Sequence, residues 1–147
     1  ESLQDPGNLG TMLRAGEGAG LSAILANRGT VDVYNPKLVR ATMGSIFRIP
    51  VVYVDDFREA LLTLVREGIR LYAAALQASV PYDSIEYPEK TAFLIGNEAA
   101  GLSEEAIAAA NQSIHIPMLG QVESLNAAVA ASILLYERAR QRRKERA

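Results

Sequence analysis

The sequence predicts an α/β domain in which a mostly parallel sheet carries helices on both faces. Three observations predict it. Short β-branched or alanine-rich runs recur at residues 22–26, 51–54, 70–75, 92–95 and 113–116. Between them lie stretches whose apolar residues repeat at helical spacing, so that strand and helix alternate. The strand runs are mostly apolar instead of alternating with polar residues, the pattern of strands covered on both faces and hence mostly parallel.

In chain order, residues 5–14 turn through Gly7 and Gly10 into a first helix that Asn8 is placed to cap. A strand at 22–26 follows. Residues 36–47 read as a helix with Asn35 as its cap and Pro36 in its first turn, where a missing N–H costs nothing. The run 51–54, bounded by Pro50 and Asp55, reads as a buried strand. Phe57, Leu61, Leu64 and Val65 repeat at helical spacing as far as Gly68, a C-terminal stop. Strands 70–75 and 92–95 are separated by a loop carrying Pro81 and Pro88. A short helix at 103–111 has Glu104 and Glu105 in its first turn, where acids complement the helix dipole. Strand 113–116 precedes a final helix from about Asn126, with Leu125, Val129, Ser132, Ile133 and Tyr136 along one face.

Composition bounds the function. The 147 residues suffice for one domain, and a content of 49% hydrophobic and 22% charged residues is that of a soluble globular protein. No apolar run approaches the roughly 20 residues of a membrane helix, so no membrane partner and a cytoplasmic location are expected. The absence of Cys excludes disulfides, thiolate nucleophiles and Cys-based zinc sites. The net charge of −2 conceals an asymmetry: residues 137–147 hold six cations against Glu137 and Glu145, a net of +4, which leaves −6 on the remainder. Bulk electrostatics therefore disfavour nucleic acid, and any RNA contact has to be local. The basic tail suits both a solvated helix end and phosphate contact.

Three segments mix glycine, amide and charged side chains beyond what plain α/β turns need. The first is Asp5-Pro-Gly-Asn-Leu-Gly-Thr-Met-Leu-Arg14, which places Asn8 and Arg14 on one helix. The second is Phe93-Leu-Ile-Gly-Asn-Glu-Ala-Ala-Gly-Leu102, where Gly96, Asn97 and Glu98 follow a strand at its carboxyl end, the ligand edge of open α/β sheets. The third is Ile116-Pro-Met-Leu-Gly-Gln-Val-Glu-Ser-Leu-Asn126, a glycine-containing loop leading to an alanine-rich helix that Ser124 or Asn126 opens. Taken singly, each also fits a capped turn.

Together and in order, with Tyr34-Asn-Pro-Lys-Leu-Val-Arg-Ala-Thr-Met-Gly44 in between, they resemble the three signature motifs of the SpoU (TrmH-like) RNA ribose 2′-O-methyltransferases of the SPOUT superfamily. The resemblance covers residues 3–137. It implies S-adenosylmethionine as cofactor, the 2′-hydroxyl of a ribose in ribosomal or transfer RNA as acceptor, a C-terminal trefoil knot holding the cofactor, and a homodimeric active site. It carries Asn8, Arg14, Glu98, Ser124 and Asn126 over as polar active-site positions, and Gly96, Ile116, Met118 and Leu125 as cofactor contacts. A guanidinium resists deprotonation, so Arg14 suits stabilisation of a developing alkoxide and grip on a phosphate better than general base work. Glu98 suits ordering of the site, by accepting hydrogen bonds from Asn8 or backbone N–H groups. The family places a strand, and often an RNA-binding domain, before the first motif. Residues 1–147 are accordingly expected to be the catalytic domain of a longer protein, with Glu1–Leu3 ending that strand.

The final helix is apolar almost without a break at 127–135. Such a helix either faces a second subunit, together with the helix after Asn8, or lies central in the monomer core. His115, the only histidine, is expected to be structural, and with scattered carboxylates no metal is expected. A nicotinamide oxidoreductase would need G-x-G-x-x-G between the first strand and helix, whereas Gly16-Glu-Gly-Ala-Gly20 is wrongly spaced and follows a helix start, not a strand. The remaining alternative is a non-catalytic RNA-binding module of the same fold.

Overall fold

The computed structural model describes residues 1–77 and 79–146, so Ala78 and Ala147 of the expected 1–147 domain lie outside the described residues. The elements are α1 (Pro6–Ala19), β1 (Ile24–Asn27), α2 (Pro36–Ala41), a 3-10 turn at Ser45–Phe47, β2 (Val51–Val54), α3 (Phe57–Arg66), β3 (Arg70–Ala74), β4 (Val80–Pro81), a 3-10 turn at Tyr82–Ser84, β5 (Thr91–Leu94), α4 (Glu104–Ala109), β6 (Gln112–His115) and α5 (Ala127–Glu145). Every strand pair is parallel, as the apolar runs predict. The strands form two sheets instead of one: β1 with β2, and four strands in the order β4-β6-β3-β5. The N-terminal residues join the two, because Val31 N–H donates to the Leu3 carbonyl beside β1 while the Asn97 side chain donates to the Ser2 carbonyl beyond β5.

Both faces of the four-stranded sheet are covered. Leu71 and Ala73 of β3 pack with Leu61 of α3 and Ala106 of α4 on one side. Tyr72 points the other way, to Leu134 of α5 and to Tyr87 and Phe93. Strand β2 is less buried than its composition predicts. It pairs with β1 alone, so Tyr53 packs inward while Val52 stands exposed, the alternation of a half-covered strand.

Three further expectations change. Asp5, not Asn8, caps α1: its carboxylate accepts the Asn8 N–H and Pro6 takes the first helical position, which frees the Asn8 side chain for other work. The helix expected over 36–47 stops at Ala41, because Met43 (φ 49°) and Gly44 (φ 88°) are left-handed and reset the chain into the 3-10 turn. On α5 the face turned to the protein is Ala128, Ala131, Leu134 and Arg138, whereas Val129 and Tyr136 are exposed. The alanines are the cause: their small side chains let α5 settle against Leu9, Met12 and Leu13 of α1.

α1 and α5 run side by side in the same direction. Asn8 bonds Asn126 at one end, and Arg142 reaches the Ala19 and Gly20 carbonyls at the other. On its other flank α1 meets α2 at Gly10, where an added Cβ would lie 2.6 Å from Ala41 Cβ and 2.9 Å from the Leu38 carbonyl oxygen. Alanine gains about 1 kcal/mol over glycine in a helix interior, but overpacking against backbone costs about 1–3 kcal/mol. Gly10→Ala is therefore expected to lower the urea midpoint. At Gly18 an added Cβ meets only the tip of the Tyr136 side chain, which can move aside, so Gly18→Ala is expected to leave the midpoint unchanged or raise it.

Candidate active site

Strands β5 and β6 flank β3 in a parallel sheet, so the loops that follow them leave the same, carboxyl edge. There the three segments meet in one chain of hydrogen bonds. The Glu98 carboxylate accepts from Gln4 N–H at 3.1 Å, Asp5 N–H at 3.0 Å and Asn8 Nδ2 at 3.1 Å. Asn8 Oδ1 accepts from Asn126 Nδ2 at 2.9 Å. Asn126 Oδ1 in turn caps α5, accepting from the N–H groups of Ala128 and Val129. Each amide is thus oriented from both ends, which fixes which atom donates and which accepts. Partial burial raises the pKa of Glu98, but the N–H donors of Asp5 and Gln4 and the Asn8 amide outweigh it and hold the carboxyl below its ordinary value of 4.5.

The structure joins Asn8, Glu98 and Asn126 and leaves the other two polar candidates apart. Arg14 is exposed nearly two turns along α1, and Ser124 is exposed before α5; neither has a hydrogen bond or ion pair among the described residues. Of the proposed cofactor contacts, Ile116 packs on the Tyr72–Ile114 cluster, and Gly96, Met118 and Leu125 are half-buried. Residues 117–125 make no backbone hydrogen bond among the described residues, so their carbonyls, and the N–H groups after Pro117, have no backbone partner there.

Two residues that the sequence reading gave no site role hold this geometry. Asp5 caps α1, as its place one residue before a proline allowed. Asn97 folds the β5 loop: its Oδ1 accepts from Ala99 and Ala100 N–H, and its backbone exchanges two hydrogen bonds with Gly101. An Asn ahead of a glycine-closed turn is the signal that could have found it. Gly96 permits the closure, since a Cβ there would lie 2.1 Å from the Gly101 carbonyl carbon. His115 Nδ1 lies 2.8 Å from Ser79 Oγ and ties the end of β6 to the loop after β3.

Residues 1–136 match the family described as SpoU rRNA Methylase. The chain is 42% identical over 142 residues to a 23S rRNA (guanosine(2553)-2′-O)-methyltransferase of Bacillus subtilis, covering 92% of this chain and 54% of that protein. It is 37% identical over 145 residues to a tRNA (guanosine(18)-2′-O)-methyltransferase of Thermus thermophilus, covering 98% of this chain and 74% of that one. Among solved structures, the SpoU methyltransferase AviRb from Streptomyces viridochromogenes, in complex with the cofactor AdoMet, superposes with a TM-score of 0.88 at 34% identity, covering 97% of this chain and 58% of that one. The chain spans about half the length of the first curated relatives it matches.

Two outcomes follow from the geometry. A carboxyl with a depressed pKa contributes stability above its unfolded value, and loses that contribution as pH falls through the folded one. A carbon-13 titration should therefore place Glu98 below 4.5, and Asn8→Ala should move it upward by removing one donor. Gly96→Ala sets a methyl against backbone that cannot yield, and is expected to destabilise at the upper end of the about 1–3 kcal/mol of overpacking, read as a lowered urea midpoint.

Proposed function

Because the chain belongs to the SpoU rRNA methylase family, we propose that it is the catalytic domain of an S-adenosylmethionine-dependent methyltransferase acting on the 2′-hydroxyl of a ribose in ribosomal or transfer RNA. The observation that carries this reading is the Glu98–Asn8–Asn126 chain, which gathers all three motifs at one sheet edge. The names of the relatives support the acceptor, and the AdoMet-bound neighbour supports the cofactor. A non-catalytic RNA-binding module is disfavoured, because such a module has no need for this hydrogen-bonded constellation.

The residues present fit the cofactor. The open backbone groups of 117–125, flanked by the half-buried Gly96, Ile116, Met118 and Leu125, offer paired donors and acceptors of the kind an adenosine and an amino-acid end require. When bound, S-adenosylmethionine supplies a methyl group made electrophilic by its sulfonium. The chain's own part is alignment and charge. Asn8 and Asn126, locked by Glu98 and by the α5 cap, present fixed amides at the acceptor side, where orientation lowers the entropic barrier. The Arg14 guanidinium stabilises the oxygen as it gains negative charge, while the proton passes to water or a phosphate oxygen. Ser124 adds a hydroxyl at the end of the cofactor loop. No metal has a part in this reading.

The same reading includes a trefoil knot, two subunits and a cytoplasmic location. Support for the knot is the insertion of β6 between β3 and β4, two strands already joined through residues 75–79, after which α5 packs back over Tyr72. Support for the homodimer is the shared face of the parallel helices, where Thr11, Arg14 and Gly18 of α1 lie exposed beside Val129 and Tyr136 of α5. The family resemblance implies that Arg14 of one subunit would then approach the cofactor loop of the other, with two equivalent sites across one two-fold interface. For the location, the support is the kind of relative matched; among the described residues no helix is long and apolar enough to cross a membrane.

Calorimetry with S-adenosylmethionine is the first test, and a folded sample that binds none sinks the proposal. Arg14→Ala is expected to abolish methyl transfer with cofactor affinity kept within a few-fold, and Arg14→Lys to restore little, because a point charge does not reproduce the planar fork. Mixing Arg14→Ala with Asn126→Ala subunits, each inactive alone and shown to exchange, is expected to recover part of the activity; no recovery would place each site within one subunit.

A further inference from the structure

The ridge formed by α2 and the 3-10 turn after it has no part in the site described so far, yet it adjoins that site. α2 packs along α1 on the flank away from α5: Gly10 meets Ala41, the Lys37 ammonium lies 3.8 Å from the Asp5 carboxylate, and Glu17 binds Ser45 and Arg48. Arg14 is one turn from Gly10 and Glu17 on α1, and equally from Thr11 and Gly18, so it emerges between the α2 flank and the edge that Gly18 shares with Tyr136 of α5. Along the ridge, Lys37 and Arg40 project three residues apart on one exposed face of α2. An aromatic ring stands at each end, with Tyr34 81% and Phe47 85% exposed. The helix break at Met43 and Gly44 turns the chain so that Phe47 is presented and not buried. Non-glycine backbone at a positive φ is a cost that a plain surface turn does not require.

Two exposed rings cost solvation unless something covers them, and two cations between them specify an anionic occupant. Arg48 is neutralised by Glu17, and Lys37 has only the long, exposed contact with Asp5 at 3.8 Å, whereas Arg40 has no acidic partner among the described residues. Rings for bases and cations for phosphates are the two halves of single-strand recognition. We propose that the ridge Tyr34–Lys37–Arg40–Phe47 is a platform for single-stranded RNA: it stacks unpaired bases beside the target nucleotide, holds their phosphates, and leads the strand to Arg14. The proposal deepens the RNA reading above and rests on it. It also answers how a body with a net charge of −6 takes a polyanion, since the attraction is confined to one strip next to the acceptor site.

The test is binding of a labelled single-stranded oligouridylate to the chain by fluorescence anisotropy across a salt series, with calorimetry of S-adenosylmethionine and sedimentation on every variant. Tyr34→Ala is expected to raise Kd roughly tenfold, the scale of one lost base–aromatic stack, and Tyr34→Phe to stay near the parent because the ring remains. The double variant Lys37→Ala, Arg40→Ala is expected to lower the slope of log affinity against log salt by about 1.4, for two phosphates released from a single strand. The double variant Arg143→Ala, Arg146→Ala at the basic end of α5 is expected to change affinity by less than twofold. All of these variants should bind the cofactor as the parent does. Parent-like RNA binding by the ridge variants, no binding by the parent, or a loss confined to the α5 variant overturns the platform. So does a shift in sedimentation on Tyr34→Ala, which would make the ridge a subunit interface. Failure of the parent to bind S-adenosylmethionine sinks the methyltransferase reading instead, and leaves the anisotropy result to judge the ridge by itself.

Discussion

The charged hydrogen bonds of Glu98 are the constraint on which the arrangement depends. One carboxylate accepts from two backbone N–H groups just before α1 and from the Asn8 amide within its first turn. The N–H groups of Gln4 and Asp5 precede the helix and have no place in its ladder, so Glu98 satisfies donors that the helix leaves over. A hydrogen bond to a charged group is worth about 1.5–3 kcal/mol when buried, and less here because Glu98 is exposed. The larger consequence is positional. The carboxylate sits on the loop after β5, so it pins the start of α1 to the carboxyl edge of the sheet, where the loop after β6 also emerges.

From that point α1 acts as a spine with a helix on either flank. On its α2 side Gly10 allows close contact with Ala41 and the Leu38 carbonyl. Its α5 side meets Ala128 and Ala131, which serve the same end from the partner helix. Close packing of this kind transmits position with little slack, so the backbone positions of Asn8 and Arg14 on α1 are set by the same contacts that build the core. The α5 register is fixed again at the far end. There Arg138, buried against the Pro88 carbonyl and Glu145, and Gln141, bonded to Tyr87 N–H and the Ile85 carbonyl, grip the loop between β4 and β5. The rings of Tyr87, Tyr72 and Phe93 fill the space between that loop and the sheet.

Much of this was legible in the sequence, and where it was not the reasons are physical. Val51–Val54, the helix from Phe57 stopped by Gly68, and the caps at Asn35 and Asn126 follow from local chemistry, and the structure has them where that chemistry places them. Asn8 misled because Asp and Asn are equivalent cap candidates, and only the preference of Pro6 for the first helical position separates them. The division into two sheets is a long-range fact about which edges pair, and no window of sequence holds it. The face of α5 was inverted for a related reason: a helix apolar around most of its circumference has no moment to read, and Ala rather than Val faces inward only because another helix lies so close. Of the candidate site, the motifs named five polar residues but not their division into a bonded trio of Asn8, Glu98 and Asn126 and two side chains without partners among the described residues.

That division has its own logic. Groups that must keep one orientation are tied at both ends, whereas a group that must meet charge as it forms gains nothing from a permanent partner. Five other arginines are paired with carboxylates: Arg28 with Asp55, Arg48 with Glu17, Arg66 with Glu59, Arg138 with Glu145 and Arg140 with Glu137. A guanidinium already paired to a carboxylate would have to break that pair before stabilising a developing alkoxide, and the cost would fall in the transition state, where catalysis is decided. Arg14, exposed and without an acid among the described residues, carries no such cost. A free cation on an acidic body instead strengthens the local attraction for a phosphate strand. On the proposed reading the amides set the frame, and Arg14, without an acid among the described residues, is available to the charge that develops there.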